Sequence, residues 1–258
     1  MSDFERAVEF VHGITRRAAS TEVAWRFGTA YLNLDVPNVW SRNYLLATEN
    51  VAEASAEDLA AEADRIMGGA GLRHRKVELS DDAGGERLEP GFRALGWVSE
   101  CDVIMVSGRE LDRPVDTSIV EEVSLDDLVP AWTDGWKTDP AVLGAEVMRQ
   151  LVESKRRTGE VVDTRFFAAR VDGEVASYCE LYSDGQTAQI ENVLTLSRFR
   201  KRGLARAIVS KALEEARKGG HELIFLIADQ RDWPKELYGK LGFDGVGLIW
   251  EFVLPRAE

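Results

Sequence analysis

A basic segment that contains one glycine separates a strand-like run from a helix-like run, and its residue types suit the binding of phosphate. The segment is Arg200-Lys201-Arg202-Gly203-Leu204-Ala205, and Arg206 adds a further cation. The first amides of a helix lack intrahelical partners, and the macrodipole adds about half a positive charge beside them. Gly203 would let the backbone approach a ligand closely because it has no Cβ. The segment therefore predicts a pyrophosphate cradle, although neither Gly-x-Gly-x-x-Gly nor Gly-Lys-Ser/Thr is present in it.

The flanking sequence predicts the elements that must hold this cradle. A strand is predicted over Gln189–Thr195, and a helix over 204–217 that stops at Gly219-Gly220. Asp172-Gly173 and Asp184-Gly185 predict tight turns between strands. The other strands predicted in this half are 118–123, 165–171, 174–182, 222–228 and 247–254, and the other helices are 125–132, 142–156 and 233–241.

These motifs resemble those of the GCN5-related N-acetyltransferases, the GNAT family. The segment Arg200–Ala205 matches the family's acyl-CoA loop, Arg/Gln-x-x-Gly-x-Gly/Ala, and Val193–Phe199 resembles the strand and aromatic residue that lead into it. Downstream, Glu236–Phe243 resembles the second signature, Leu-Tyr-x-x-Leu-Gly-Phe. The resemblance covers residues 118–258 well and the first half weakly. It implies an α/β (α+β) fold with an acetyltransferase-like mixed sheet flanked by helices.

The resemblance also implies which residues would bind acetyl-CoA as cosubstrate. In the family, the strand before the loop splays from its neighbour, so that its amides pair with pantetheine. In this chain those amides would be Val193, Leu194 and Thr195. The pyrophosphate would be held by the cradle residues, namely Arg200, Lys201, Arg202, Gly203, Leu204, Ala205 and Arg206.

Two residues are candidates for proton transfer during acyl transfer to an amine. Tyr238 matches the family's tyrosine, and a phenol with a pKa of about 10 suits the protonation of a thiolate whose pKa is about 8.5 or above. Glu191 occupies a strand position where several family members place a carboxylate, so it is the candidate base, or else it binds substrate or a lysine. Glu180 and Asp229 are alternatives for binding the acceptor, and Trp132 and Trp136 could line the acceptor cavity or pack in the core.

One position departs from the family pattern. Many members carry Asn about seven residues before the tyrosine, where this chain has Arg231. The missing contact to pantetheine could be replaced by Asp229 or Gln230, or could be absent. The departure bears on catalysis more than on CoA binding.

Composition excludes several other classes of function. The formal charge of −13 argues against a nucleic-acid partner and favours the approach of cationic amines. No run approaches the roughly 20 apolar residues of a membrane helix, and the N-terminus lacks a signal segment, so a cytoplasmic protein is expected. Buried free thiols are expected for Cys101 and Cys179. No metal site is expected, because the three histidines (His12, His74 and His221) have no paired spacing.

The first half of the chain echoes the second. The phrase Leu95-Gly96-Trp97 repeats as Leu241-Gly242-Phe243, each at a similar distance after a histidine. We therefore predict two tandem GNAT-like domains, a degenerate one over 1–112 and an acetyl-CoA-binding one over 113–258, separated by a linker around Pro114. The first copy lacks the cradle motif and has Phe92 near the place of Tyr238. It should not bind CoA productively.

The predicted function is an N-acetyltransferase that moves an acetyl group from acetyl-CoA to a primary amine by direct attack. The alternative is a non-catalytic acyl-CoA-binding sensor or scaffold. An enzyme that uses the loop for a nucleotide phosphate is disfavoured, since the chain lacks Gly-Lys-Ser/Thr and an acidic magnesium motif. An aminoglycoside, a polyamine, an amino acid or a protein N-terminus all remain open as the acceptor, and the oligomeric state is open too.

Overall fold

The computed structural model describes residues 1–136 and 144–255, which contain seven α-helices and eleven strands. The helices are α1 (Asp3–Ala18), α2 (Ala56–Ala63), α3 (Asp82–Ala94), α4 (Leu125–Trp136), α5 (Ala145–Val161), α6 (Leu204–Lys218) and α7 (Pro234–Lys240). The strands are β1 (Thr21–Trp25), β2 (Gly28–Leu32), β3 (Tyr44–Ala47), β4 (Arg75–Leu79), β5 (Val98–Ser107), β6 (Val120–Val123), β7 (Asp163–Val171), β8 (Glu174–Ser183), β9 (Thr187–Thr195), β10 (Leu223–Asp229) and β11 (Phe243–Leu254).

The chain divides into two compact units, and neither is continuous in sequence. Unit 1 comprises Met1–Ala7, Ile104–Ala228 and Asp232–Val246, and unit 2 comprises Val8–Val103, Asp229–Arg231 and Gly247–Glu258. The end of β5 belongs to unit 1, and most of β11 belongs to unit 2. Because both units are assembled from separate stretches of the chain, they do not correspond to a single cut in the sequence. The predicted domain boundary between residues 112 and 113 stays a prediction.

Unit 1 contains a mixed sheet with the strand order β5-β10-β9-β8-β7-β6. β6, β7, β8 and β9 pair antiparallel, whereas β9 and β10 are parallel. Asp172 and Gly173 join β7 to β8 with φ of 52° and 85°, the left-handed pair that a type I′ hairpin turn requires. α6 buries one stripe of apolar residues at helical spacing, which includes Leu204, Ile208 and Leu213.

Unit 2 contains a sheet with the order β1-β2-β3-β4-β11-β5 and its own apolar core. Phe92 of α3 is fully buried there, stacked on Phe252 with ring centroids 4.1 Å apart. Gly96 ends α3 at φ of 80°, as Gly242 ends α7 at 87° in unit 1, so the repeated Leu-Gly-aromatic phrase marks the same kind of helix-to-strand turn twice.

The mixed α/β fold with flanking helices is confirmed. Each strand and helix predicted for the C-terminal half is present in the described residues, with ends shifted by a few positions. The predicted start of the helix at Val142 lies outside the described residues, and the observed α5 begins at Ala145. α4 extends to Trp136, four residues beyond the prediction.

Candidate active site

β9 parts from β10 at the position where the pantetheine amides were predicted. The parallel register of these two strands runs from Thr187 beside Leu223 to Ile190 beside Leu226. β9 nevertheless continues to Thr195, and β10 to Asp229. The half-buried residues Val193, Leu194 and Thr195 thus lie beyond the last register pair with β10. The amide of Leu196 donates to Ala176 of β8, and strand amides alternate between the two edges, so those of Val193 and Thr195 face the edge on which the register with β10 has ended.

A bulge in β9 accompanies this opening. On the other side of β9, Tyr178 of β8 lies opposite Leu194, but Glu180 lies opposite Glu191, so β9 has one extra residue between the two pairs. Asn192 within this interval has φ of 52°. A bulge with a left-handed residue bends a strand and increases its twist. The bend therefore begins within the stretch that precedes the cradle.

The cradle is a turn that ends in a left-handed glycine at the start of α6. The amide of Arg200 donates to the carbonyl of Ser197, and the amide of Ala207 donates to that of Gly203. None of the backbone amides of residues 201–206 donates to a backbone carbonyl of the described residues. Gly203 is the N-cap of α6 at φ of 79°, and a Cβ placed on it would meet open space. The cradle thus presents a group of amides toward an open face, as an anion site at a helix N-terminus does.

The basic side chains of the cradle fall into two kinds. Arg200, Lys201 and Arg202 are exposed and form no ion pair with the described residues. Arg206 is half-buried, and its Nη1 and Nη2 donate to the carboxylate of Asp112 at 2.6 and 3.1 Å. This pair neutralises the guanidinium and lowers the pKa of Asp112. Arg206 and Asp112 together carry no net charge, and the role of Arg206 toward a pyrophosphate stays a prediction.

Tyr238 is buried on α7, with 7% of its surface exposed. Pro234 begins this helix, since its fixed φ and missing N–H suit the first helical position. Burial raises the pKa of Tyr238 to about 12, and the nearby groups Cys179 and Glu191 add to the increase. The structure therefore brings Tyr238 and Glu191 within electrostatic range of each other. A pKa this high keeps the phenol protonated at neutral pH.

The half-buried carboxylate of Glu191 accepts a hydrogen bond from Nε2 of Gln189 at 2.7 Å. Gln189 thereby orients one oxygen of Glu191 from two residues away on the same face of β9.

Glu180, the alternative for binding the acceptor, is already surrounded by donors. It is 1% exposed, and its Oε1 accepts from Lys155 Nζ at 2.8 Å and from Asn192 Nδ2 at 2.6 Å. The hydroxyl of Tyr182 donates to Oε2. A buried carboxylate needs such compensation, and here the compensation occupies both oxygens. Glu180 thus links side chains of α5, β8 and β9 within unit 1.

Sequence reasoning missed Gln189, Asn192, Lys155 and Tyr182. The missed signal was the polar stripe on α5, where Gln150, Ser154 and Thr158 recur every four residues and are all buried. A helix whose inward face is polar must pack against polar partners. The same helix carries Lys155, whose Nζ lies 2.8 Å from Oε1 of Glu180.

The two tryptophans of α4 pack as a pair. Trp132 is fully buried and contacts Phe166 and Tyr178, while Trp136 is half-buried and stacks on it with ring centroids 5.9 Å apart. Trp132 is therefore a core residue. Its Nε1 and the hydroxyl of Tyr178 are buried without a hydrogen-bond partner in the described part of the chain.

The departure at Arg231 has a local explanation in unit 2. Its Nη2 lies 2.7 Å from Glu89 Oε1, and its Nη1 lies 3.3 Å from the carbonyl of Ser99. The amide of Gln230 donates to the carbonyl of Cys101. The exposed carboxylate of Asp229 accepts the amide of Arg231 at 2.7 Å. Asp229, Gln230 and Arg231 thus form hydrogen bonds with one another and with other residues of unit 2.

The described residues contain neither a cluster of metal-ligand side chains nor a membrane-spanning helix. No group of three or more His, Cys, Asp or Glu within them is arranged to hold a metal ion. None of the helices in the described ranges has the length and hydropathy needed to span a membrane. Cys101 and Cys179 are both free and buried, as predicted.

Similarity to known proteins agrees with this geometry. Residues 125–243 match the model of the Acetyltransferase (GNAT) family. No curated protein matches the chain. Among solved structures, a functionally unknown conserved protein from Staphylococcus epidermidis is similar with a TM-score of 0.70 and 14% identity, over 92% of this chain and 94% of that one.

Two similar structures carry the family's name. A GCN5-related N-acetyltransferase from Kribbella flavida has a TM-score of 0.62 at 18% identity, with coverage of 98% and 96%. A tandem GNAT protein from the clavulanic acid biosynthesis pathway has a TM-score of 0.53 at 14% identity, with coverage of 78% and 70%. At these identities the likeness concerns the fold.

The strand order, the early end of the β9–β10 pairing and the glycine-headed turn at the start of α6 define a mixed-sheet fold of the acetyltransferase type. Residues 125–243 of this chain belong to the GNAT family of acetyltransferases. The degenerate N-terminal copy stays a prediction.

Proposed function

We propose that the GNAT-family domain transfers an acetyl group from acetyl-CoA to a primary amine. The main support is that the open edge of β9 continues directly into the cradle headed by Gly203. In that arrangement pantetheine would pair with the amides of 193–195, while the pyrophosphate would accept from the amides of the cradle. The exposed cations Arg200, Lys201 and Arg202 add charge where the phosphates would lie.

The chemistry requires two proton transfers that balance. The nitrogen of a neutral amine attacks the thioester carbonyl carbon, and the carbon–sulfur bond breaks as the amide forms. Glu191 takes the proton that the amine loses, directly or through water. Tyr238 donates its phenolic proton to the departing thiolate, which leaves as the free thiol of CoA. The elevated pKa of Tyr238 means that this proton is present throughout the neutral range.

The proposed acceptor is a small-molecule or peptide amine. The formal charge of −13 gives the protein a field that favours the approach of cations. Glu191 adds a local carboxylate on β9, where an ammonium could be bound before it loses its proton.

Thioester cleavage tests the proposal. The full chain is incubated with acetyl-CoA and a panel of amines, and the released thiol is followed with a thiol reagent while acetylated amine is measured by mass spectrometry. Thiol release that depends on an amine supports the transferase. Binding of CoA by calorimetry without turnover of any amine would instead identify the sensor or scaffold. A chain that binds no CoA would contradict both.

A further inference from the structure

The network around Glu180 contacts the bulge of β9 directly. Asn192 is the left-handed residue of that bulge, and its side-chain amide donates to Glu180 Oε1 at 2.6 Å. The same oxygen accepts from Lys155 at 2.8 Å, and Tyr182 holds the other oxygen. Glu180 is 1% exposed, so these bonds are made away from water. The carboxylate therefore fixes the side chain of Asn192 from the neighbouring strand.

The position of the bulge gives this contact a consequence for the ligand groove. Pairing of β9 with β10 ends at Ile190, two residues before Asn192, and the amides proposed for pantetheine begin one residue after it. A regular strand through Asn192 would have no bend there and could continue beside β10. Residues other than glycine adopt the left-handed conformation at a cost, although asparagine tolerates it best. A buried hydrogen bond to a charged acceptor offsets that cost.

On the basis that this groove binds acetyl-CoA as proposed above, we propose that Glu180 and Asn192 form a lock that holds β9 open for pantetheine. Glu180 is a positioning residue in this assignment, since it acts on the ligand through Asn192 and the backbone of β9. Lys155 keeps the buried carboxylate compensated, so that Asn192 is held by an anion. In this proposal the network supports the binding of acetyl-CoA. The sequence analysis considered Glu180 for binding the amine acceptor.

Variants that alter the hydrogen bond between Asn192 and Glu180 test the lock. Asn192→Asp keeps a residue that tolerates positive φ but places a second carboxylate against Glu180. It should weaken CoA binding about tenfold in calorimetry, because a charged hydrogen bond becomes a repulsion. The double variant E180Q/N192D keeps one carboxylate and one amide in the network with their places exchanged, so that Lys155, which lies beside both side chains, can pair with Asp in place of Glu180. It should return the affinity to within about threefold of wild type.

Asp172→Val is the matched control for strain. Asp172 also has φ of 52°, but it lies in the turn between β7 and β8, so its substitution should lower the melting temperature and leave CoA affinity unchanged. Circular dichroism and the melting temperature are recorded for every variant. Undiminished CoA affinity in N192D, or a loss that E180Q/N192D fails to restore, would overturn the lock while leaving the acetyltransferase proposal intact. A wild-type chain that binds no CoA would overturn both.

Discussion

Arg206 and Asp112 form a two-pronged ion pair beside the first turn of α6, with nitrogen–oxygen distances of 2.6 and 3.1 Å. The amide of Asp112 in turn donates to the carbonyl of Lys240 at the end of α7. A segment that follows β5 is thereby tied both to the cradle helix and to the helix that carries Tyr238. The pair also removes one positive charge from the cradle.

We expect the cradle arginines to differ in their effect on CoA binding. Arg202→Gln should weaken affinity about tenfold, because an exposed cation near the phosphates is lost. The double variant D112N/R206Q should stay within about twofold of wild type, because it removes a neutral pair. Titration calorimetry at two ionic strengths measures both, and only R202Q should flatten the salt dependence. A tenfold loss in the double variant would return Arg206 to the phosphate role.

Gly203→Ala should impair CoA binding about tenfold. The αL conformation costs an alanine about 1–2 kcal/mol, and its Cβ would occupy the open space in front of the cradle amides. Gly185→Ala is a matched control, since Gly185 has φ of 91° and open surroundings in the turn between β8 and β9. Both variants should lose stability, and only G203A should lose affinity. Calorimetry that shows undiminished affinity in G203A would contradict the cradle.

Tyr238→Phe should lower kcat about 10²-fold and leave the affinity for acetyl-CoA unchanged, because it removes only the general acid. Since the pKa of Tyr238 is raised to about 12, its ionisation should not produce an alkaline limb in the rate profile below about pH 10. Steady-state kinetics from pH 6 to pH 10 provide the measurement. Tyr31→Phe in unit 2 is the control for loss of a buried hydroxyl. Equal kcat in Y238F and wild type would remove Tyr238 from the reaction.

Glu191→Gln should lower kcat/KM chiefly at low pH. Gln cannot accept the proton of the amine, although it is nearly the size of the glutamate that Gln189 holds. The acid limb of the profile should therefore move to higher pH, where the amine is already neutral, with acetyl-CoA affinity intact. Kinetics across pH with a saturating donor and a varied amine measure this. A profile with an unchanged shape would show that Glu191 binds substrate without transferring a proton.

His74 should make stability depend on pH. It is 1% exposed, and burial lowers its pKa from 6.5 to about 4. Between those values the unfolded chain binds a proton that the folded chain does not, so stability falls as pH drops from 6.5 toward 4. The loss reaches about 3 kcal/mol at the low end.

His74→Gln isolates this effect from other titrating groups. Glutamine can place an amide where His74 Nε2 bonds the carbonyl of Asn43 at 2.9 Å. Urea unfolding at pH 7 and pH 4.5 should show a smaller loss of stability in H74Q than in wild type. Parallel losses in the two proteins would mean that His74 does not carry the effect.

Local patterns were enough to predict most elements. The Asp172-Gly173 turn, the apolar stripe of α6 and the glycine at its start act over a few residues, so their physics can be read from short stretches. The association of distant strands depends on long-range packing. Sequence pattern gave no sign that most of β11 belongs to unit 2 while the end of β5 belongs to unit 1.

The candidate site divides in the same way. The sequence by itself determined the cradle, since the amides of a helix start, a left-handed glycine and nearby cations are all local features. The sequence also identified Tyr238 and Glu191 as the candidate acid and base. Only the tertiary structure decided that Asp112 neutralises Arg206 and that Glu180 is held by Lys155 and Asn192. Those partners are far apart in sequence, and a charge is balanced by whatever the fold brings within a few ångströms of it.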